Sequence, residues 1–216
     1  MTVLPFLTAA DRTTAQPAVA AHLRGGGLLA YPTETVYGLG SRAAAQDVDA
    51  LSALKGRPRG KPFLLLIAGR TMAEGAGLQF LPAAHALAEA FWPGPLTLIL
   101  PGGHRLPDSL RGPEGGIAVR WTSHEGIAAL IAFLGEPLTS TSANRPGGPT
   151  APGVGAILHT FRAAVDGGRL LVLDGGVLGN VPPSTVLDCT TQIPRLVRDG
   201  AIPRSELQAR VGSLAP

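Results

Sequence analysis

Short runs of Leu, Val and Ile alternate along this chain with Ala-rich stretches whose apolar residues recur at helical spacing. A brief apolar run bounded by Gly, Pro or Ser reads as a buried strand, and a 3.6-residue apolar period reads as a helix packed against it. Strands are expected at 28–31, 63–67, 96–100, 117–121, 138–141, 170–173, 184–187 and 195–198. Helices are expected at 18–24, 47–54, 83–91, 125–134, 154–161 and 205–211. Asp47 is placed as a helix N-cap, and Gly25 and Gly135 stand where C-caps belong. Such alternation builds an α/β layer structure with helices packed on one sheet. The short connections near the C-terminus call for antiparallel neighbours, so the sheet is expected to be twisted and mixed. With no repeat and no long linker, the expectation is one domain over residues 1–216, its core at about 18–202.

Composition narrows the class. Hydrophobic residues make up 45% and charged residues only 15%, which suits a compact core and excludes a disordered or nucleic-acid-coating chain. A net charge of +3 is too small to imply a long nucleic-acid footprint. Cys189 is the only cysteine, so no intramolecular disulfide forms and a reducing compartment fits. The segment Met1-Thr-Val-Leu-Pro-Phe lacks a basic region followed by an apolar one, and no window approaches the ~18 apolar residues of a membrane helix. A cytoplasmic protein with no membrane association is expected.

The polar chemistry collects in a few loops. Lys55-Gly-Arg57-Pro-Arg59-Gly-Lys61 holds the chain's two lysines with two arginines between them. An ammonium holds a phosphate as a point charge and a guanidinium as a planar fork, so a polyphosphate clamp is one reading. An ordinary basic turn is the other. Pro32-Thr33-Glu34-Thr35-Val36-Tyr37-Gly38 follows an expected strand, at a position where open α/β sheets bind ligands. Its hydroxyls would equally well cap their own turn. Thr139-Ser140-Thr141-Ser142-Ala143-Asn144 ends another strand, offering hydroxyls and a carboxamide to phosphate oxygens or hydrated magnesium, or closing an Asx turn. Pro183-Ser184-Thr185 again leads hydroxyls into an apolar run.

Standard motifs do not explain these loops. Gly56-x3-Gly60-Lys61-Pro62 is one residue short of a P-loop and lacks its Ser or Thr. Gly38-x-Gly40-x-x-Ala43 fits a dinucleotide pattern but lacks the acid about twenty residues on that would hold a ribose. The five histidines are scattered, which argues against a zinc site, and no Gly-x-Ser-x-Gly elbow occurs.

Taken together and in order, Tyr31-Pro-Thr-Glu-Thr-Val-Tyr-Gly-Leu-Gly40, Lys55-Gly-Arg-Pro, Trp92-Pro-Gly-Pro-Leu-Thr97, Ile117-Ala-Val-Arg120, Thr141-Ser-Ala-Asn144, Pro183-Ser-Thr-Val-Leu-Asp188 and Arg198-Asp-Gly-Ala201 resemble the YrdC-type threonylcarbamoyl-adenylate synthases. The resemblance implies a YrdC-like fold and a nucleotidyltransferase that joins L-threonine, bicarbonate and ATP, releasing pyrophosphate. It implies Lys55, Arg57, Ser142 and Asn144 as the catalytic set, with Lys61, Ser184 and Arg198 also on ATP. Thr33, Arg120 and Thr141 would hold threonine, and Mg2+ would arrive with ATP rather than on a protein-built site. Separate transferase proteins would pass the product to a tRNA adenosine beside the anticodon. Arg59 is expected to be a solvated neighbour of the clamp. The alternative from another class is an RNA-binding module without catalysis, supported by the basic cluster and opposed by the scarcity of aromatic residues.

Overall fold

The computed structural model describes residues 2–57, 61–179 and 181–215. In chain order the elements are β1 (Val3–Pro5), α1 (Ala9–Arg24), β2 (Leu28–Tyr31), β3 (Gly38–Gly40), α2 (Ala45–Lys55), β4 (Leu64–Ile67), α3 (Arg70–Gly75), α4 (Pro82–Phe91) and β5 (Leu96–Leu100). A 3-10 turn at Asp108–Leu110 follows, then β6 (Ile117–Trp121), α5 (Glu125–Leu134), β7 (Leu138–Ser142), α6 (Val154–Thr160), α7 (Arg162–Asp166), β8 (Leu170–Asp174), β9 (Thr185–Asp188), β10 (Arg195–Arg198) and α8 (Arg204–Val211). Among the described residues the strands form one ten-stranded sheet in the order β1-β8-β2-β3-β7-β4-β6-β5-β9-β10. Four neighbouring pairs are parallel and the rest antiparallel, so the sheet is mixed as expected.

Two apolar layers sandwich the sheet because strand side chains alternate between its faces. Leu28 and Ala30 point into the larger layer, with Val48 and Leu51 of α2, Leu87 of α4 and Leu207 of α8. Leu29 and Tyr31 point into the smaller one, where α1 contributes Val19 and Leu23 and α5 contributes Ile127, Leu130 and Ile131. Gly135 ends α5 at φ 72°, the left-handed region where glycine carries no Cβ penalty. Gly25 also caps its helix, donating to the Ala21 carbonyl, and Gly26 N donates to the Leu23 carbonyl.

The differences from expectation are local. Asp47 is not an N-cap: α2 starts at Ala45 behind Ala44, and Asp47 lies buried in the first turn, where a carboxylate suits the helix dipole. Helix α1 begins half its length earlier than expected, at a Thr8–Asp11 capping box, and runs through Pro17. That proline removes one helical bond, but it lies on the exposed side of the helix, where a carbonyl left without a donor is open to solvent. Strand β3 has the sequence Gly-Leu-Gly, with poor intrinsic strand propensity. Packing imposes it, since a Cβ on Gly40 would lie 2.1 Å from the Thr139 carbonyl oxygen and one on Gly38 would lie 2.9 Å from the Tyr31 ring.

Candidate active site

Sheet register assembles the site. Gly38 pairs with Ser142, Leu64 with Ser140, Leu66 with Arg120, Ile99 with Ala118 and Thr97 with Val186. Paired residues share a face and alternate residues return to it, so Gly38, Leu64, Thr97, Ala118, Arg120, Ser140, Ser142 and Val186 all point the same way. Helices α1 and α5 cover one part of this face with apolar side chains. The rest is the floor of a cavity of about 610 Å3. Its walls are the loop at Thr33–Val36, Arg57 and Pro62 from the basic loop, Thr150, and the approach to β9 at Val181–Ser184.

Three guanidiniums line this cavity, from Arg57, Arg120 and Arg198, and among the described lining residues there is no carboxylate. Arg120 is 4% exposed on the central strand β6, and its Nε lies 3.7 Å from Glu34 Oε1. Burial pushes its pKa down, and the Glu34 charge opposes that shift. Arg57 donates to the carbonyls of Lys61 and Pro62, both at 2.7 Å, and to Thr141 Oγ1 at 3.2 Å. Its guanidinium also lies 4.6 Å from the centre of the Phe63 ring. Arg198 donates to Ser184 O at 2.6 Å and to Ser184 Oγ at 3.1 Å, and burial lowers its pKa as well. The set has the chemistry to hold an anion: fixed cationic forks, hydroxyls between them, and no opposing charge among the described wall residues.

Lys55 is turned inward. It is 4% exposed, and its Nζ donates to Ser142 O, Asn144 O and Asn144 Oδ1, each at 2.6 Å. Asn144 Oδ1 accepts also from Ser142 Oγ, and Asn144 Nδ2 donates to the Gly148 carbonyl. The ammonium therefore pins the chain that follows β7. Burial, with Arg57 and Arg145 adding to it, brings the lysine pKa down from 10.5 to about 8. Past this pin lies an adjoining cavity of about 560 Å3, more apolar in its walls, which shares Thr35, Val36 and Thr150 with the first.

The family with the description "Telomere recombination", Sua5/YciO/YrdC, matches residues 21–200. The chain belongs to this family. It is 39% identical over 185 residues to the threonylcarbamoyl-AMP synthase of Thiobacillus denitrificans, covering 85% of this chain and 96% of that relative. It is 35% identical over 196 residues to the threonylcarbamoyl-AMP synthase of Pyrococcus abyssi, covering 90% of this chain but only 56% of the longer relative. The crystal structure of P. abyssi Sua5 complexed with L-threonine superposes with a TM-score of 0.89 at 32% identity, over 99% of this chain and 62% of that one.

In this Sua5/YciO/YrdC chain most of the residues singled out from sequence come together. Thr33, Arg57, Arg120, Thr141, Ser142, Ser184 and Arg198 line the first cavity, and Asn144 lines the second. Lys55 lines neither cavity; its hydrogen-bonding capacity is engaged by protein oxygens. Lys61 is exposed and borders a separate depression with Asp49, Asp108 and Arg111. Arg59 lies outside the described residues. The turn reading of the threonine loop holds: Thr33 Oγ1 donates to Val36 O and accepts from Thr35 N and Val36 N, closing its own turn, and that turn lies on the cavity wall. Sequence reasoning quoted Glu34, Thr35, Thr97 and Ser140 only within their motifs, without a role of their own, and passed over Thr150 and Arg145. Thr97 had a usable signal, being a polar residue within an apolar strand, as Arg120 is. Arg145 gave none: it reaches back to donate to Leu54 O at 2.7 Å and lies 5.1 Å from the Phe161 ring centre.

Proposed function

We propose that this chain is a threonylcarbamoyl-AMP synthase, making threonylcarbamoyl-AMP and pyrophosphate from L-threonine, bicarbonate and ATP. The observation that carries the reading is the cavity with a buried arginine at its floor, two further guanidiniums on its walls and no carboxylate among the described residues that line it. Substrates bearing a carboxylate and a triphosphate need such a place. Family membership and the relatives' names support the same choice.

Arg120 would take the threonine carboxylate as a fork, with Thr33 and Thr141 beside it. The threonine nitrogen attacks the carbon of bicarbonate and water leaves, giving a carbamate. A carbamate oxygen then attacks the α-phosphorus, the bond to the β-phosphate bridge breaks, and pyrophosphate departs. Such a transfer rests on alignment and charge stabilisation more than on covalent help from the protein. Arg57 and Arg198 would carry the phosphate charge, with Ser142 and Ser184 supplying hydroxyls. Lys55 would act from inside, holding Ser142 and Asn144 in place between the two cavities. Mg2+ would be carried in by the ATP phosphates, and the Ser142 and Ser184 hydroxyls on the cavity wall could meet its bound water. The product would pass to separate tRNA-modifying transferases.

The RNA-binding alternative gains no support here, because no aromatic side chain is among the described residues lining either cavity for a base to stack on. The deciding experiment measures pyrophosphate release with ATP, bicarbonate and each amino acid in turn. Release that requires threonine and bicarbonate together supports the reading. Equal release with no amino acid marks a simple ATPase and overturns it.

A further inference from the structure

Three arginines share the first cavity, but only one of them faces an acid. Glu34 Oε1 lies 3.7 Å from Arg120 Nε, and both atoms are buried without a hydrogen-bond partner. The other oxygen, Oε2, accepts from the Thr122 hydroxyl, and that hydroxyl in turn accepts from His124 N at 3.2 Å. Thr122 is fully buried, so that carboxylate oxygen is anchored within the protein. Thr33 and Thr35, on either side of Glu34 in the chain, line the cavity and Glu34 does not. Arg57 and Arg198 differ. Among the described residues their partners are carbonyl and hydroxyl oxygens, and neither makes a salt bridge.

Resting on the reading above, we propose that Glu34 is a positioning residue that sorts anions within the cavity. Its charge partly cancels that of Arg120, so Arg120 takes a singly charged carboxylate while phosphates go to Arg57 and Arg198. Charge interactions strengthen as water is excluded, so an uncompensated guanidinium at the buried floor would be the strongest trap for phosphate in the site. A phosphate lodged there would exclude threonine. The acid beside Arg120 lowers the field reaching the cavity while leaving the fork's outer nitrogens turned toward it. Glu34 thereby acts through Arg120 and touches no substrate.

The test uses the full chain with Glu34→Gln, which keeps the shape and the acceptor for Thr122 but removes the charge. Pyrophosphate release is followed with inorganic phosphate as inhibitor, against L-threonine and against ATP separately. In the wild type phosphate competes with ATP alone. In E34Q it is expected to compete with threonine too, with an inhibition constant against threonine lowered about fivefold or more, while KM for ATP stays within about twofold. A merely structural role would not move the inhibition pattern in this way. Phosphate competing only with ATP in E34Q, at unchanged strength, overturns the proposal. Should E34Q fail to fold, Thr122→Val loosens the same carboxylate without removing its charge and is expected to shift inhibition in the same direction; a wild-type pattern in T122V overturns the proposal. A wild type with no threonine-dependent release would sink the functional reading instead. Calorimetric titration of inorganic phosphate into wild type and E34Q then decides the anion-sorting role by itself, with tighter binding in E34Q expected and equal binding overturning it.

Discussion

Lys55→Met separates an anchoring lysine from a phosphate-binding one. Methionine fills a similar volume but leaves Ser142 O, Asn144 O and Asn144 Oδ1 without the donor that meets each of them at 2.6 Å. Hydrogen bonds from a charged donor contribute about 1.5–3 kcal/mol each, though three from one group are far from additive. Burying the ammonium works against this gain. A pKa brought from 10.5 to about 8 corresponds to at most ~3 kcal/mol against the charged form, and less after solvent screening. The net expectation is a loss of about 1–3 kcal/mol, which lowers Tm by roughly 3–10 °C in a chain of this size. Release of the Ser142–Asn144 segment should also lower kcat/KM at least about tenfold, since small misplacements of positioning groups are costly.

Arg57→Ala is the contrast. Its described partners are two loop carbonyls and one hydroxyl, so activity should fall at least about tenfold with a smaller change in Tm. The lysine also carries a pH signature. The unfolded chain, with lysine near 10.5, binds more protons than the folded one, near 8, throughout the interval between them. Stability of the wild type relative to K55M should therefore rise as pH climbs through about 8 and level off above about 10.5. Thermal melts and urea titrations across that window, paired with steady-state kinetics, measure all three effects. An unchanged Tm in K55M together with a rise in KM for ATP alone would refute the anchoring role, because the ammonium would then be turned to the phosphates.

Three further outcomes follow from the same geometry. Arg120→Lys replaces the buried fork by a point charge, so KM for threonine should rise by about tenfold or more while KM for ATP changes little; a larger effect on ATP would move Arg120 to the phosphates. Gly40→Ala places a Cβ 2.1 Å from the Thr139 carbonyl and should destabilise by about 1–3 kcal/mol, whereas wild-type stability in a urea melt would mean β3 relaxes freely. Burial raises the Cys189 thiol from 9.0 to about 12, so it should resist thiol-specific labelling at neutral pH until the chain unfolds; fast labelling of the native protein would contradict its buried place.

Much of the architecture was legible from alternation alone. Strands at 28–31, 96–100 and 117–121 and the helix at 125–134 have the expected bounds in the structure, because an apolar run bounded by turn residues can be buried in few ways. The resemblance carried by the ordered motifs also singled out Arg57, Arg120, Ser142, Ser184 and Arg198, which come from five separate segments. What the pattern did not carry is whatever depends on partners distant in the chain. Strand β1 is three residues long and exists by pairing with β8, and β3 is a glycine strand made by contact with Tyr31 and Thr139. Side-chain direction belongs to the same class. Four cations stand close together in the sequence, yet the fold turns Lys55 inward onto Ser142 and Asn144, sets Arg57 on the cavity wall and leaves Lys61 outside it. Local sequence specifies backbone tendencies and the chemistry available. Which charges meet, which have an acid beside them and which face a cavity is settled only when the sheet register brings segments some eighty residues apart onto one face.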